Sequence, residues 1–181
     1  MGVPTIKCKQ SCDRIRDGDG YRLRAVCVCL KEETSSTEVL LISRRKYPTS
    51  WMLPGGGVEP RETAGQAALR EAEEEAGVRG KLLRHIGQFT DEASKHKTDV
   101  FLMLVDEVLH EWEDSSGIGR KRRWITLEDS RSLADLKESQ RPYVAQLLQQ
   151  QRPSTQSLGS RNIENLFEDA NTGLALKTDA N

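Results

Sequence analysis

Two apolar runs stand out along the chain, Ala25–Leu30 and Val100–Val105, each six residues long and bounded by charged residues. Neither approaches the ~20 apolar residues that cross a bilayer, so no membrane span is expected. Six residues suit a buried strand, and the β-type composition around the runs predicts strands over Arg22–Leu30 and Asp99–Val108. Val39–Ser43, Leu82–Phe89 and the short Arg123–Ile125 read the same way, and the polar stretch Lys31–Thr37 has the length of a hairpin loop. The period changes after Gly55-Gly56-Gly57. From about Glu62 to Ala76 the spacing is helical, and Gly77 stands where a left-handed C-cap is wanted. A second helix is expected over Leu127–Leu136, over Pro142–Gln150, or over both. This order predicts an α+β domain, a mixed sheet flanked by helices.

The ends are polar. Residues 1–16 read as a flexible N-terminal segment, followed by the turn signature Asp17-Gly18-Asp19-Gly20. Gln, Ser, Asn and Thr dominate from Gln149 onward, so residues 17–150 are expected to form the domain and 151–181 a disordered tail. With 27 Lys+Arg against 28 Asp+Glu the net charge is −1, and bulk charge predicts neither a nucleic-acid nor a membrane partner. Met1–Ile6 lacks the apolar core of a secretory signal. Cys27 and Cys29 would share one strand face as buried free thiols, which fits a reducing cytoplasm, with the nucleus as a second setting. His85, His96 and His110 are too far from the cysteines for a zinc spacing.

The helix from Glu62 to Ala76 carries the candidate chemistry. Gly65, Leu69, Ala72 and Ala76 form one stripe suited to packing on a sheet, while Glu71, Glu74 and Glu75 recur at i, i+3 and i+4 on a shared face. Ala64, Ala67 and Ala68 fall on that carboxylate face, where small residues would leave room for an approaching group. Like charges on neighbouring turns repel by a few tenths of a kcal/mol each. Arg70 reaches Glu74 at i+4, but one guanidinium does not neutralise three carboxylates. A hard divalent cation would, because Mg²⁺ takes a few carboxylates and keeps water and substrate phosphate as its other ligands. Glu73 lies off this face and reads as a solvated charge.

The stretch Gly56 to Val78 resembles the Nudix box: Gly56, Glu62, Arg70-Glu71, Ala72, Glu74-Glu75, Gly77 and Val78 fill its fixed slots, with Ala72 smaller than the usual aliphatic residue. The resemblance implies the Nudix fold, an α/β/α sandwich around a mixed β-sheet, over roughly residues 20–150. It also implies hydrolysis of pyrophosphate linkages with Mg²⁺ or Mn²⁺, screened phosphate charge and an activated water. Carried over by position, Glu71, Glu74, Glu75 and Gly55 would hold the metal, Glu74 and Glu75 would be catalytic, and Glu62 and Arg70 would brace loop and helix.

Positive charge is segregated from this helix in five clusters: Arg22 with Arg24, Arg44-Arg45-Lys46, Lys95-His96-Lys97, Arg120–Arg123, and Arg141. A carboxylate floor with a basic rim suits a substrate carrying many phosphates. Asp17–Arg24, Trp51–Gly57, Lys95–Thr98, Glu111–Asp114, Ile118–Arg122 and Arg141-Pro142 are similar to the diphosphoinositol polyphosphate phosphohydrolases, the Nudix subgroup that removes a β-phosphate from diphosphoinositol polyphosphates and cleaves diadenosine polyphosphates. That likeness implies phosphate contacts from Arg22, Arg24, Lys46, Gly55, Gly56, Gly57, Lys95, His96, Arg120 and Arg141; separately, a monomer is expected. Ser94 and Arg123 depart from the pattern, which has Arg and Glu there. Two other readings compete. Cap or other RNA hydrolysis through the basic clusters is disfavoured by only nine aromatic residues. A catalytically inert phosphate sensor is disfavoured by the intact glutamate trio.

Overall fold

A computed structural model describes residues 15–33, 36–127 and 136–150. The expected segment 1–16 is therefore represented by Ile15 and Arg16 alone, and the tail 151–181 and most of Leu127–Leu136 lie outside the described residues. Ile15 packs on the sheet, and its carbonyl accepts the Leu23 N–H at 3.0 Å.

Seven strands form one mixed sheet: β1 (Arg22–Glu33), β2 (Ser36–Ser43), β3 (Trp51–Met52), β4 (Gly55–Gly57), β5 (Val78–Asp91), β6 (His96–Val108) and β7 (Arg122–Thr126). The order is β3-β2-β1-β6-β5, with β4 beside β1 and β7 beside β2. β1 and β6 run parallel and every other pair is antiparallel. Among the described residues the helices are α1 (Ala64–Ala76), α2 (Glu113–Ile118) and α3 (Arg141–Gln150), with a 3₁₀ turn at Glu138–Gln140.

The first hairpin is tighter than the composition suggests. β1 runs on to Glu33 and β2 starts at Ser36, because the polar residues beyond Leu30 continue the ladder, and Lys31 pairs with Glu38 at 3.1 Å. α1 begins at Ala64 rather than Glu62. Thr63 caps it, exchanging bonds with Gln66 in a capping box, and Gly77 closes it at φ 61°. α2 has no helical periodicity and is not legible in the sequence.

Side chains of β1 alternate strictly. Ala25, Cys27 and Cys29 face α1 in a core with Ala67, Ala68, Ala72 and Ala76, while Val26, Val28 and Leu30 face α3 through Tyr143, Val144 and Leu147. Helices thus cover both sheet faces, as the sandwich requires. Cys27 and Cys29 are buried free thiols on one face, as read from their spacing. Ala67 and Ala68 are fully buried, which corrects their expected role. They let the helix approach the sheet closely, whereas Leu69 and Gly65 are only half-buried; the packed stripe is turned toward Glu71.

Candidate active site

The last two turns of α1 meet the glycine strand. β4 pairs with Arg24–Val26 of β1, leaving its backbone against the helix carboxylates. The Gly55 N–H donates to Glu75 Oε2 at 2.8 Å, and a Cβ at Gly56 would stand 2.0 Å from Glu71 Oε1. Glycine is required at this close approach.

Two arginines organise the glutamates. Arg70 donates to both Glu62 oxygens (2.8 and 3.1 Å), to Glu71 Oε1 (3.0 Å), to Glu74 Oε2 (3.3 Å) and to the Gly57 carbonyl (3.0 Å). It therefore ties helix to loop, the bracing role implied for it and Glu62. Burial pushes the Glu62 carboxyl upward, but the Arg70 bond and the Glu59 N–H outweigh it and hold its pKa below the usual range. Arg120 donates from Nη2 to Glu75 Oε1 at 2.9 Å and from Nε to Asp114 Oδ2 at 2.8 Å, with its side chain only 8% exposed. The Glu75 carboxyl is pushed up to about 7, chiefly by burial; Arg120 and the Gly55 N–H oppose this, and Glu71 and Asp114 add to it. The end of α1 is clamped too. Trp112 Nε1 donates to the Glu75 carbonyl at 3.1 Å, and Arg122 Nη1 donates to the Ala76 and Gly77 carbonyls, each at 3.1 Å.

Among the described residues no three His, Cys, Asp or Glu side chains converge on one point as a formed ion site. Each glutamate is turned to an arginine or an N–H instead. The donor set nevertheless fits a hard divalent cation: three carboxylates, oxygen ligands throughout, with the Glu71 carboxylate seated where Gly56 lacks a side chain.

On the other face of the sheet, beside the start of β1, lies a cleft of about 610 Å³ whose lining includes Arg24, Asp91, Ser94, His96, Lys137 and Tyr143. His96 is held below the usual imidazole value by burial and then by Arg24 and Arg22; Lys137 is lowered by burial and then by Arg24 and Arg44. The nearby arginines that depress both His96 and Lys137 mark a site of positive potential. Arg24 connects the two faces, its Nη2 lying 3.5 Å from the Gly55 carbonyl.

The basic clusters are thus divided. Arg24 and His96 line the cleft, with Arg22 near enough to depress His96; Gly55 and Gly56 meet the carboxylates, and the Gly57 carbonyl accepts Arg70. Arg120 is buried among the carboxylates, Arg122 caps the helix and Arg123 lies over Trp51 at 4.8 Å. Lys95 is drawn to Glu92 and to Tyr21, and Lys97 to Asp17. Lys46 is exposed in the loop after β2, and Arg141 is exposed at the start of α3. Ser94 Oγ lies 3.0 Å from His96 Nδ1, so this departure orients the imidazole. Lys137 and Asp114 escape sequence reading. Lys137 is a lone lysine brought in by its N–H bond to the Trp51 carbonyl at 3.1 Å, and Asp114 sits in the unpredicted α2.

The NUDIX domain profile matches residues 20–147. The chain belongs to the Nudix hydrolases. Within this family it falls in the diphosphoinositol polyphosphate phosphohydrolase subfamily: it is 49% identical over 125 residues to diphosphoinositol polyphosphate phosphohydrolase 2 of Rattus norvegicus, covering 69% of each chain. The Nudix fold recurs in the NUDIX domain of Shewanella oneidensis NrtR complexed with ADP ribose, with TM-score 0.57 and 19% identity over 76% of this chain and 94% of that one. A C. elegans Ap4A hydrolase in binary complex superposes with TM-score 0.52 and 25% identity, over 70% of this chain and 96% of that one. No helix among the described residues is long and apolar enough to cross a membrane.

Proposed function

We propose that this Nudix hydrolase cleaves the phosphoanhydride bond of diphosphoinositol polyphosphates, releasing the β-phosphate, and that it also cleaves diadenosine polyphosphates. One observation carries the reading: Arg24 lines the cationic cleft and reaches Gly55, the residue whose N–H holds Glu75. A substrate whose phosphates fill the cleft therefore extends its anhydride over the glycine strand to the carboxylates.

Arg22, Arg24, His96 and Lys137 bind and orient the polyanion, and the side-chain-free strand lets it approach the backbone closely. Lys46, Lys95 and Arg141 extend the rim, and Arg120 offers a donor beside Glu75. Glu71, Glu74 and Glu75, with the Gly55 carbonyl, would hold Mg²⁺ or Mn²⁺; when bound, the ion neutralises phosphate charge and acidifies a water. Glu74 or Glu75 would take the proton as a water oxygen bonds to the β-phosphorus and the bridging P–O bond breaks. The buried thiols of Cys27 and Cys29 support a reducing compartment, the cytoplasm first. The deciding experiment offers the purified chain a diphosphoinositol polyphosphate, a diadenosine polyphosphate, inorganic polyphosphate and capped RNA, with products identified and Mg²⁺ varied. Phosphate release from the inositol substrate is expected; preference for capped RNA refutes the assignment.

A further inference from the structure

The three guanidinium nitrogens of Arg120 point to three different acceptors. Nε donates to Asp114 Oδ2 at 2.8 Å, Nη1 to the Ser43 carbonyl at 2.9 Å and Nη2 to Glu75 Oε1 at 2.9 Å. The Arg120 backbone N–H also donates to the Asp114 carbonyl at 3.0 Å. Both side chains of the Arg120–Asp114 pair are nearly removed from solvent, at 8% and 12% exposure. Buried charges of this kind are held in place by their bonds, and removing one partner strands the other. Asp114 lies in the first turn of α2, outside the carboxylates assigned to the ion and outside the cleft.

We propose that Asp114 is a positioning residue, which fixes the Arg120 guanidinium so that Nη2 becomes available to a substrate phosphate once Glu75 turns to a divalent cation. The inference rests on the hydrolase reading above and deepens it. Two of the three side-chain anchors, Asp114 and the Ser43 carbonyl, do not involve Glu75. They hold the plane of a rigid fork, so loss of the Glu75 bond frees one nitrogen and leaves its direction unchanged. Asp114 also shares the positive charge. With Asp114 neutralised, Glu75 becomes the remaining carboxylate partner of a buried guanidinium, and a cation must break a stronger pair to reach it.

Asp114→Asn in the full chain tests this. Mn²⁺ binding without substrate is followed from the free-ion paramagnetic resonance signal, alongside steady-state kinetics on a diphosphoinositol polyphosphate. The Mn²⁺ Kd is expected to rise about tenfold, a change equivalent to ~1.4 kcal/mol. KM rises with it while kcat at saturating ion and substrate stays within about threefold, and Asp114→Glu restores both constants. Arg120→Ala separates positioning from folding, because it raises KM without raising the Mn²⁺ Kd. An Asp114→Asn protein with Mn²⁺ Kd and KM within twofold of the parent overturns the proposal, as does a rise of the Mn²⁺ Kd in both variants. If Asp114→Asn does not fold, Arg120→Lys carries the test: it keeps the charge beside Glu75 but loses the fork, so an unchanged KM refutes the role of fixed geometry. A parent protein that binds Mn²⁺ yet releases no phosphate refutes the proposed substrate, and the ion titrations alone then decide the role of Asp114.

Discussion

Replacing Gly56 by alanine places a methyl carbon 2.0 Å from Glu71 Oε1, 2.4 Å from its Cδ and 2.8 Å from Oε2. Gly56 is not among the glycines with positive φ, so the backbone accepts alanine and the clash is the whole difficulty. Ordinary contact begins near 3.4 Å, so the carboxylate must retreat by about 1.4 Å. Glu71 is buried and bonded to Arg70 Nη1 at 3.0 Å, and a retreat of that size breaks the bond. Overpacking of this kind costs ~1–3 kcal/mol, which lowers the melting temperature by roughly 3–10 °C in a domain of this size. The variant should fold, melt in that lower range and lose at least ~tenfold in turnover, since one of the three proposed cation ligands is displaced. Thermal melts and phosphate release measure the two effects. Adding Glu71→Ala to Gly56→Ala removes the obstructing oxygen and should recover part of the lost melting temperature while activity stays low. A double variant that melts no higher than Gly56→Ala, or a single variant with parental turnover, refutes the geometry. Gly55→Ala provides the contrast: its methyl group would meet the Ala25 carbonyl at 2.5 Å and Val26 Cα at 2.8 Å, backbone atoms that cannot swing aside.

Three further outcomes are expected. Arg24→Ala should raise KM more than tenfold for a diphosphoinositol polyphosphate and by less for a diadenosine polyphosphate, on the order of one lost charge-assisted contact; equal increases would show that the cleft does not count phosphates. His96, whose folded-state value lies below 6.5, leaves the unfolded chain with more bound protons as pH falls through 6.5. Stability is therefore lost as pH falls below about 6.5, and His96→Asn should flatten the slope of melting temperature against pH there. Gln140 is buried, accepting the Leu53 N–H at 2.8 Å and donating to the Leu53 carbonyl at 3.3 Å; Gln140→Ala should cost about 2 kcal/mol or more in denaturant unfolding, because two backbone groups lose their partner.

The carboxylate helix was legible because its signal is local. Capping, period and the three glutamates all lie within one stretch of sequence, and the structure shifts only its first residues, from Glu62 to Ala64. Its packing face was less legible: Ala67 and Ala68 look equally suited to an open site and to close approach, and only the sheet beneath them decides. The basic clusters show why composition cannot assign partners. Arg120, Arg122 and Arg123 lie within four residues yet bind a carboxylate, a helix end and an indole, because β7 and the turn before it point them to different sides. Lys137 gave no signal, and Asp114 stood in a stretch matching the subfamily without a role, since their surroundings are assembled by Trp51 and Arg120 in the fold.

The strict alternation along β1 divides labour as well as the core. Residues at even positions, from Arg24 inward, look toward the cleft and α3, and those at odd positions look toward α1 and its glutamates. On the proposed reading, recognition and reaction would occupy opposite sides of β1, joined where the glycine strand β4 pairs with Arg24–Val26. A change at an even position can retune which anion is preferred while the bond-breaking apparatus stays untouched. Insertion of one residue into β1 would exchange the two sides at once, so this strand tolerates new side chains far better than new length.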